Sequence, residues 1–209
     1  MLKRLLLILV LLPALAGAAP PRAPVILVTG DSLSAAYGMG LDQGWVALLQ
    51  RRLEQQGYPH RVVNTSVSGE TTRGALARLP AELARHKPAI VLIELGANDG
   101  LRGQPLSALR ANLRRLIALS RQAGAQPVLF EMRLPANYGP QYTEEFRRSF
   151  GEVAKTEGVA LVPFFMAAIA LDPGYFQDDG IHPNVAAQPK LLDAVWPTLV
   201  PLLGPVARQ

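Results

Sequence analysis

Ser32 sits in the stretch "GDSLS", just after an apolar run that ends at Thr29. A serine hydroxyl attacks a carbonyl carbon only when a base takes its proton, so the first question is which imidazole is available. The chain has three histidines. His60 precedes a later apolar run, and His86 closes a helical segment just before Lys87-Pro88, where a cation complements the helix dipole. Both suit structural or surface roles. His182, in "DDGIHPN", follows Asp179 by three residues, near enough for that carboxylate to hold the second ring nitrogen. Such a set would carry out acyl transfer to serine followed by hydrolysis. Each fragment also has a plainer reading. Asp31 and Ser32 are good helix N-caps, and Asp179-Gly180 makes an ordinary turn corner.

The oxyanion that forms on attack needs N–H donors. The backbone N–H of Ser32 would serve if that residue opens a helix. Gly69 has no side chain to block its own N–H. Asn98 offers a carboxamide, or it stabilises the turn before Asp99-Gly100. Asn64, at the end of an apolar run, suits local backbone bonding.

These residues need a frame. Five short apolar runs predict buried strands over Val25–Thr29, Arg61–Asn64, Ala89–Leu95, Pro127–Met132 and Ala160–Phe164. They do not alternate cleanly with polar residues, which favours a parallel sheet covered on both faces. Helical spacing lies between them. Val46, Leu49 and Leu53 share one face before Gly57, and Leu106, Leu109, Leu113 and Leu116 share another before Gly124. Thr71 or Thr72 caps a helix running towards Arg85, Thr143 opens one closing near Gly158, and a last one runs from about Val185 to Leu203, with Pro197 a site for a kink or a break. Strands alternating with helices imply right-handed crossovers and a three-layer α/β/α sandwich with a flavodoxin-like five-stranded parallel sheet, order 2-1-3-4-5.

In that frame every polar stretch falls after a strand, on the edge where open parallel sheets bind ligands. The stretches are "GDSLS", "TSVSGETT", "GANDG", "RLPANYG" and "QDDGIHPN". Strand 5 would lie roughly 14 Å from strand 1, at about 4.8 Å per spacing. The 17 residues from Phe165 to Ile181 span roughly 55 Å when extended, so His182 can be carried back to Ser32.

The start of the chain, "MLKRLLLILVLLPALAGA", has a basic tip, an apolar run and small residues fitting cleavage after Ala18. It predicts a signal peptide over 1–18 and one domain over 19–209, periplasmic or secreted, with no stable membrane span after cleavage. There is no cysteine, so the domain must rely on its core rather than on disulfides. The formal charge is +5, falling to +3 without Lys3 and Arg4. It is spread over helical positions such as Arg110, Arg114 and Arg121, without the concentrated basic footprint of a nucleic-acid binder. No metal-ligand cluster stands out, and a monomer is expected.

The four blocks together resemble the SGNH (GDSL) hydrolases, a family named for four residues in separate blocks. Here these are Ser32 in "GDSLS", Gly69 in "SGETT", Asn98 in "GAND" and His182 in "DDGIHPN", in order over nearly the whole mature chain. "RLPANYG" and "PFF" look like the family's exported branch of thioesterases, lysophospholipases and arylesterases. One departure is Ala97, where many relatives have glycine before the asparagine. The resemblance implies a cofactor-free serine hydrolase acting on small-molecule acyl esters or thioesters. Ser32 would be the nucleophile, His182 the base and Asp179, rather than Asp178, its orienting carboxylate. Ser32 N–H, Gly69 N–H and Asn98 would form the oxyanion hole. Leu134, Pro135 and Tyr138 would lie in a mobile loop lining the acyl site. Two other readings fit the same motifs: a carbohydrate-ester deacetylase, and a non-catalytic periplasmic protein that binds acyl chains or lipids.

Overall fold

The computed structural model describes residues 23–206, so the signal peptide expected over 1–18 lies outside the described residues. The chain runs β1 (Val25–Gly30), α1 (Trp45–Gln55), β2 (Arg61–Asn64), α2 (Thr72–His86), β3 (Ile90–Glu94), α3 (Ala97–Leu101), α4 (Leu106–Gln122), β4 (Gln126–Phe130), α5 (Pro140–Glu157), β5 (Ala160–Val162) and α6 (Gln188–Leu199). All strands pair in parallel, in the order β2-β1-β3-β4-β5. The architecture is the expected three-layer α/β/α sandwich. Helix α1 packs against α6 on one face of the sheet, while α2, α4 and α5 pack side by side on the other.

Every residue of β1 and β3 is buried, which explains why these strands show no alternation. On the α1/α6 face, the rings of Trp45, Phe130 and Phe165 meet at centroid separations of 5.5–6.1 Å. Phe146 and Phe150 of α5 stack edge-on at 5.1 Å on the other face. Aromatic pairs at such spacings contribute about 0.5–1.5 kcal/mol each beyond their buried area. This core fixes the strand ends from which the polar loops emerge. Among the described residues no helix is long and apolar enough to cross a membrane.

The structure departs from the sequence expectations in several places. Ser32 does not open a helix: residues 32–38 are turns, and the first helix starts at Trp45. The Asp31 side chain takes the N–H of Leu33 and its carbonyl takes that of Ala35, making one helical turn. Left-handed backbone at Ala36 (φ 57°) and Gly38 (φ 72°) then stops it from propagating. The segment "ANDGL", expected as a turn, is the short helix α3. Helix α5 begins at Pro140 rather than Thr143, with Pro140 in the first turn where its missing N–H costs nothing. The last helix is flanked by tight turns of 3-10 helix over 185–187 and 200–202, and Pro197 sits inside it without ending it. The last three strands end one or two residues before the expected limit and start within one residue of it, as is usual at frayed boundaries.

Candidate active site

β1 delivers Ser32 to the carboxyl edge of the sheet, and β3, beside it, delivers Asn98 at the start of α3. The long connection after β5 brings His182 back across that edge. Its ring Nε2 lies 2.9 Å from Ser32 Oγ. On the far side of the ring, Nδ1 lies 2.6 Å from Asp179 Oδ2. Asp179 Oδ1 accepts the backbone N–H groups of Ile181 (2.8 Å) and His182 (2.9 Å). The N–H of His182, then its ring, then the N–H of Ile181 hold the Asp179 carboxyl down at about 2. It is therefore an anion at any pH where imidazole titrates, and it favours the tautomer with hydrogen on Nδ1 and a lone pair on Nε2 facing the serine. Asp178, next along the chain, is exposed and makes no hydrogen bond to His182.

Gly69 has left-handed backbone (φ 78°), and its carbonyl accepts the guanidinium of Arg102 at 2.9 Å. The N–H groups of Ser32 and Gly69 donate to no acceptor among the described residues. Asn98 Nδ2 donates to Asp31 Oδ2 at 3.2 Å, which puts its carboxamide beside the nucleophile segment. Asn64 bonds backbone, but only one bond is the local one expected: it accepts Ser66 N–H, while its Nδ2 donates to Ser34 O, 30 residues away on the segment that follows Ser32. Leu134, Pro135 and Tyr138 follow β4, and the loop is docked on α3. Leu134 covers Gly100, and Tyr138 Oη donates to Leu101 O at 3.1 Å. His60 lies before β2 at the opposite edge of the sheet and His86 ends α2, so neither reaches the site. Among the described residues no group of three or more His, Asp or Glu side chains is arranged to hold a metal ion.

Sequence reasoning missed the layer beneath the serine. Glu94 ends β3 directly opposite Gly30 and is fully buried. Its Oε2 accepts Ser34 Oγ at 2.6 Å and Asp31 N–H at 3.3 Å, while Oε1 has no partner. A side chain at position 30 would put a Cβ 2.7 Å from that Oε2, so only glycine allows the strand to pass so close. The available signal was an acid inside an otherwise apolar strand, since unpaired carboxylates are almost never fully buried. Burial pushes Asp31 up to about 6, against the lowering effect of the Leu33 N–H. Burial, reinforced by the neighbouring Asp31, pushes Glu94 well above its ordinary value.

Both shifts have the same consequence for stability. In the unfolded chain these carboxyls lose their protons near pH 4. Between about pH 4 and about 6 the folded protein binds more protons than the unfolded chain, so stability falls as pH rises through that window. Glu94→Gln supplies the uncharged form at every pH and removes the charge facing Asp31. Thermal melts from pH 4 to pH 8 are expected to show the variant gaining on wild type as pH rises, by about 2–4 °C for each ~1 kcal/mol relieved in a domain of this size. A constant offset between the two proteins across that range would contradict the assignment.

Comparison with known proteins follows the same lines. The model of the GDSL-like lipase/acylhydrolase family matches residues 28–188. The chain is 56% identical to the esterase TesA of Pseudomonas aeruginosa over 181 residues, covering 87% of this chain and 90% of that protein. It is 45% identical over 182 residues to thioesterase 1/protease 1/lysophospholipase L1 of Escherichia coli K12, covering 87% of this chain and 86% of that one. The crystal structure of the psychrotrophic esterase EstA from Pseudoalteromonas sp., inhibited by monoethylphosphonate, superposes with a TM-score of 0.83 at 42% identity, over 87% of this chain and 99% of the other.

Proposed function

The chain belongs to the GDSL-like lipase/acylhydrolase family and is an ester hydrolase, and on that premise we propose that it cleaves acyl esters and thioesters through an acyl-enzyme on Ser32. The observation that carries this reading is the unbroken line from Ser32 Oγ through the His182 ring to Asp179, at 2.9 Å and 2.6 Å.

In the first half-reaction Ser32 Oγ attacks the carbonyl carbon while His182 Nε2 takes its proton. Asp179 stabilises the imidazolium so formed and does not itself take the proton. Negative charge develops on the carbonyl oxygen, which Ser32 N–H, Gly69 N–H and Asn98 Nδ2 would stabilise. As the tetrahedral intermediate collapses, the alcohol or thiol leaves with the proton from His182. Water then attacks the acyl-enzyme, with His182 again as base, and releases the carboxylic acid. The loop of Leu134, Pro135 and Tyr138 supplies an apolar wall for the acyl chain. Its position against α3, the helix that carries Asn98, supports that reading.

The enzyme acts outside the cytoplasm, exported by the leader at 1–18 and working as the domain over 19–209. The support is the sequence pattern of that leader, a basic tip, an apolar run and small residues ending at Ala18. Natural substrates are then acyl esters met in the envelope or beyond it.

Initial rates on p-nitrophenyl esters of short to long acyl chains, on acyl thioesters and on a lysophospholipid test the substrate class. Turnover of the acyl esters, with a preference varying with chain length, is expected. Activity confined to acetylated sugars would replace this reading with that of a carbohydrate deacetylase.

A further inference from the structure

His182 rides on a connection that runs from β5 to α6 without a regular strand or long helix, yet its nitrogen must stay within hydrogen-bond reach of an atom 150 residues away. Its partners hold the ring, but something must hold the backbone that carries it. Two glutamine side chains outside the proposed chemistry do so. Gln177 donates its backbone N–H to His182 O at 2.8 Å. Its carboxamide Nε2 donates to Pro183 O at 3.1 Å and reaches across to Tyr37 O at 2.8 Å, on the loop that follows the nucleophile. Gln188 repeats the pattern from the other side. Its Nε2 donates to Asn184 O at 3.1 Å and lies 3.5 Å from Pro183 O, while its Oε1 accepts the N–H of Trp45 at 3.0 Å. Gln188 is 2% exposed, so this second bridge is screened from water.

The fit around Gln177 is tight. Gly38 has left-handed backbone, and a Cβ there would lie 2.1 Å from Gln177 Oε1. The Tyr37 ring, whose backbone Gln177 holds, lies over the His182 ring at a centroid separation of 4.3 Å.

We propose that Gln177 and Gln188 are positioning residues, which clasp the Pro183 and Asn184 carbonyls to the segment between Tyr37 and Trp45 and so set the pairing of His182 with Ser32. The clasp acts on backbone carbonyls and leaves the imidazole free to pass its proton from serine to leaving group. This inference rests on the assignment of Ser32 and His182 made above.

Gln177→Met keeps the length of the side chain and removes its donors at a part-exposed position. The probe is a p-nitrophenyl alkylphosphonate: Ser32 Oγ forms a bond to phosphorus, p-nitrophenolate departs, and the serine proton goes to His182. In Gln177→Met the labelling rate of Ser32 and kcat on p-nitrophenyl esters are expected to fall about 10–100-fold, the effect of a misplacement near 1 Å. KM should stay within about twofold, and the fall should deepen in Gln177→Met/Gln188→Met. Labelling of Gln177→Met at the wild-type rate, or a rise in KM with kcat unchanged, would overturn the clasp. Labelling of the wild-type protein at a residue other than Ser32 would instead overturn the nucleophile assignment, and the clasp with it.

Discussion

Ser32→Ala is expected to lower kcat on p-nitrophenyl esters by about 10⁴–10⁶-fold, the range for loss of the nucleophile in a serine triad. The substitution removes one oxygen from a half-buried position whose only side-chain bond among the described residues is to His182. Nothing beneath it changes: Ser34 and Asp31 keep their bonds to Glu94, and the core strands are untouched. The variant should therefore melt close to wild type, so that loss of rate cannot be attributed to loss of fold. Residual activity should come from the oxyanion donors and from substrate binding, which survive. A well-folded Ser32→Ala protein with near-normal hydrolysis would remove the acyl-enzyme mechanism.

The second large effect separates two adjacent aspartates. Asp179→Asn is expected to reduce kcat by about 10⁴-fold. An asparagine can present its amide nitrogen to Nδ1, which stabilises the wrong tautomer, with hydrogen on Nε2 pointing at the serine. It also removes the negative charge that balances the imidazolium in both half-reactions. Asp178→Asn, at an exposed side chain without a bond to the ring, should keep activity within a few-fold. The reverse ranking would transfer the orienting role to Asp178. The depressed value of Asp179, about 2, adds a sign to this result. A carboxyl held below its unfolded value stabilises the protein above about pH 4 and loses that contribution as pH falls towards 2. The stability contribution of Asp179 is small, because its side chain is 38% exposed and screened by water.

Much of the site is legible in the sequence because acyl transfer demands unlike residue types in separate loops. With three histidines, elimination by position leaves His182, and alternating strands and helices bring each polar stretch to one edge. The turn at Ser32 was less legible. Asp and Ser are preferred both as N-caps and in tight turns, so the same letters fit either, and the deciding left-handed backbone falls on Ala36, a residue that rarely adopts it. Helix α3 was hidden for a similar reason, since "GANDGL" is built from turn-forming residues. Glu94 could be read as an acid in a buried strand, but its partners lie 60 and 63 residues away. Gln177 and Gln188 left no trace, because they bind backbone carbonyls and an N–H, which every residue except proline's N–H can supply.

The separation of Ser32 and His182 also governs when the enzyme exists. Ser32, the proposed nucleophile, emerges early from the ribosome and His182, its proposed base, late, and the proposed clasp at Gln188 requires the first turn of α6 to meet the start of α1. A single domain generally folds as a unit. A chain halted before its final segment lacks Asp179, His182 and the helix α6 that covers one face of the sheet, so the proposed nucleophile has no base to arm it. Catalytic competence thus reports on the finished molecule, and a nascent or truncated copy is inert towards the acyl esters around it.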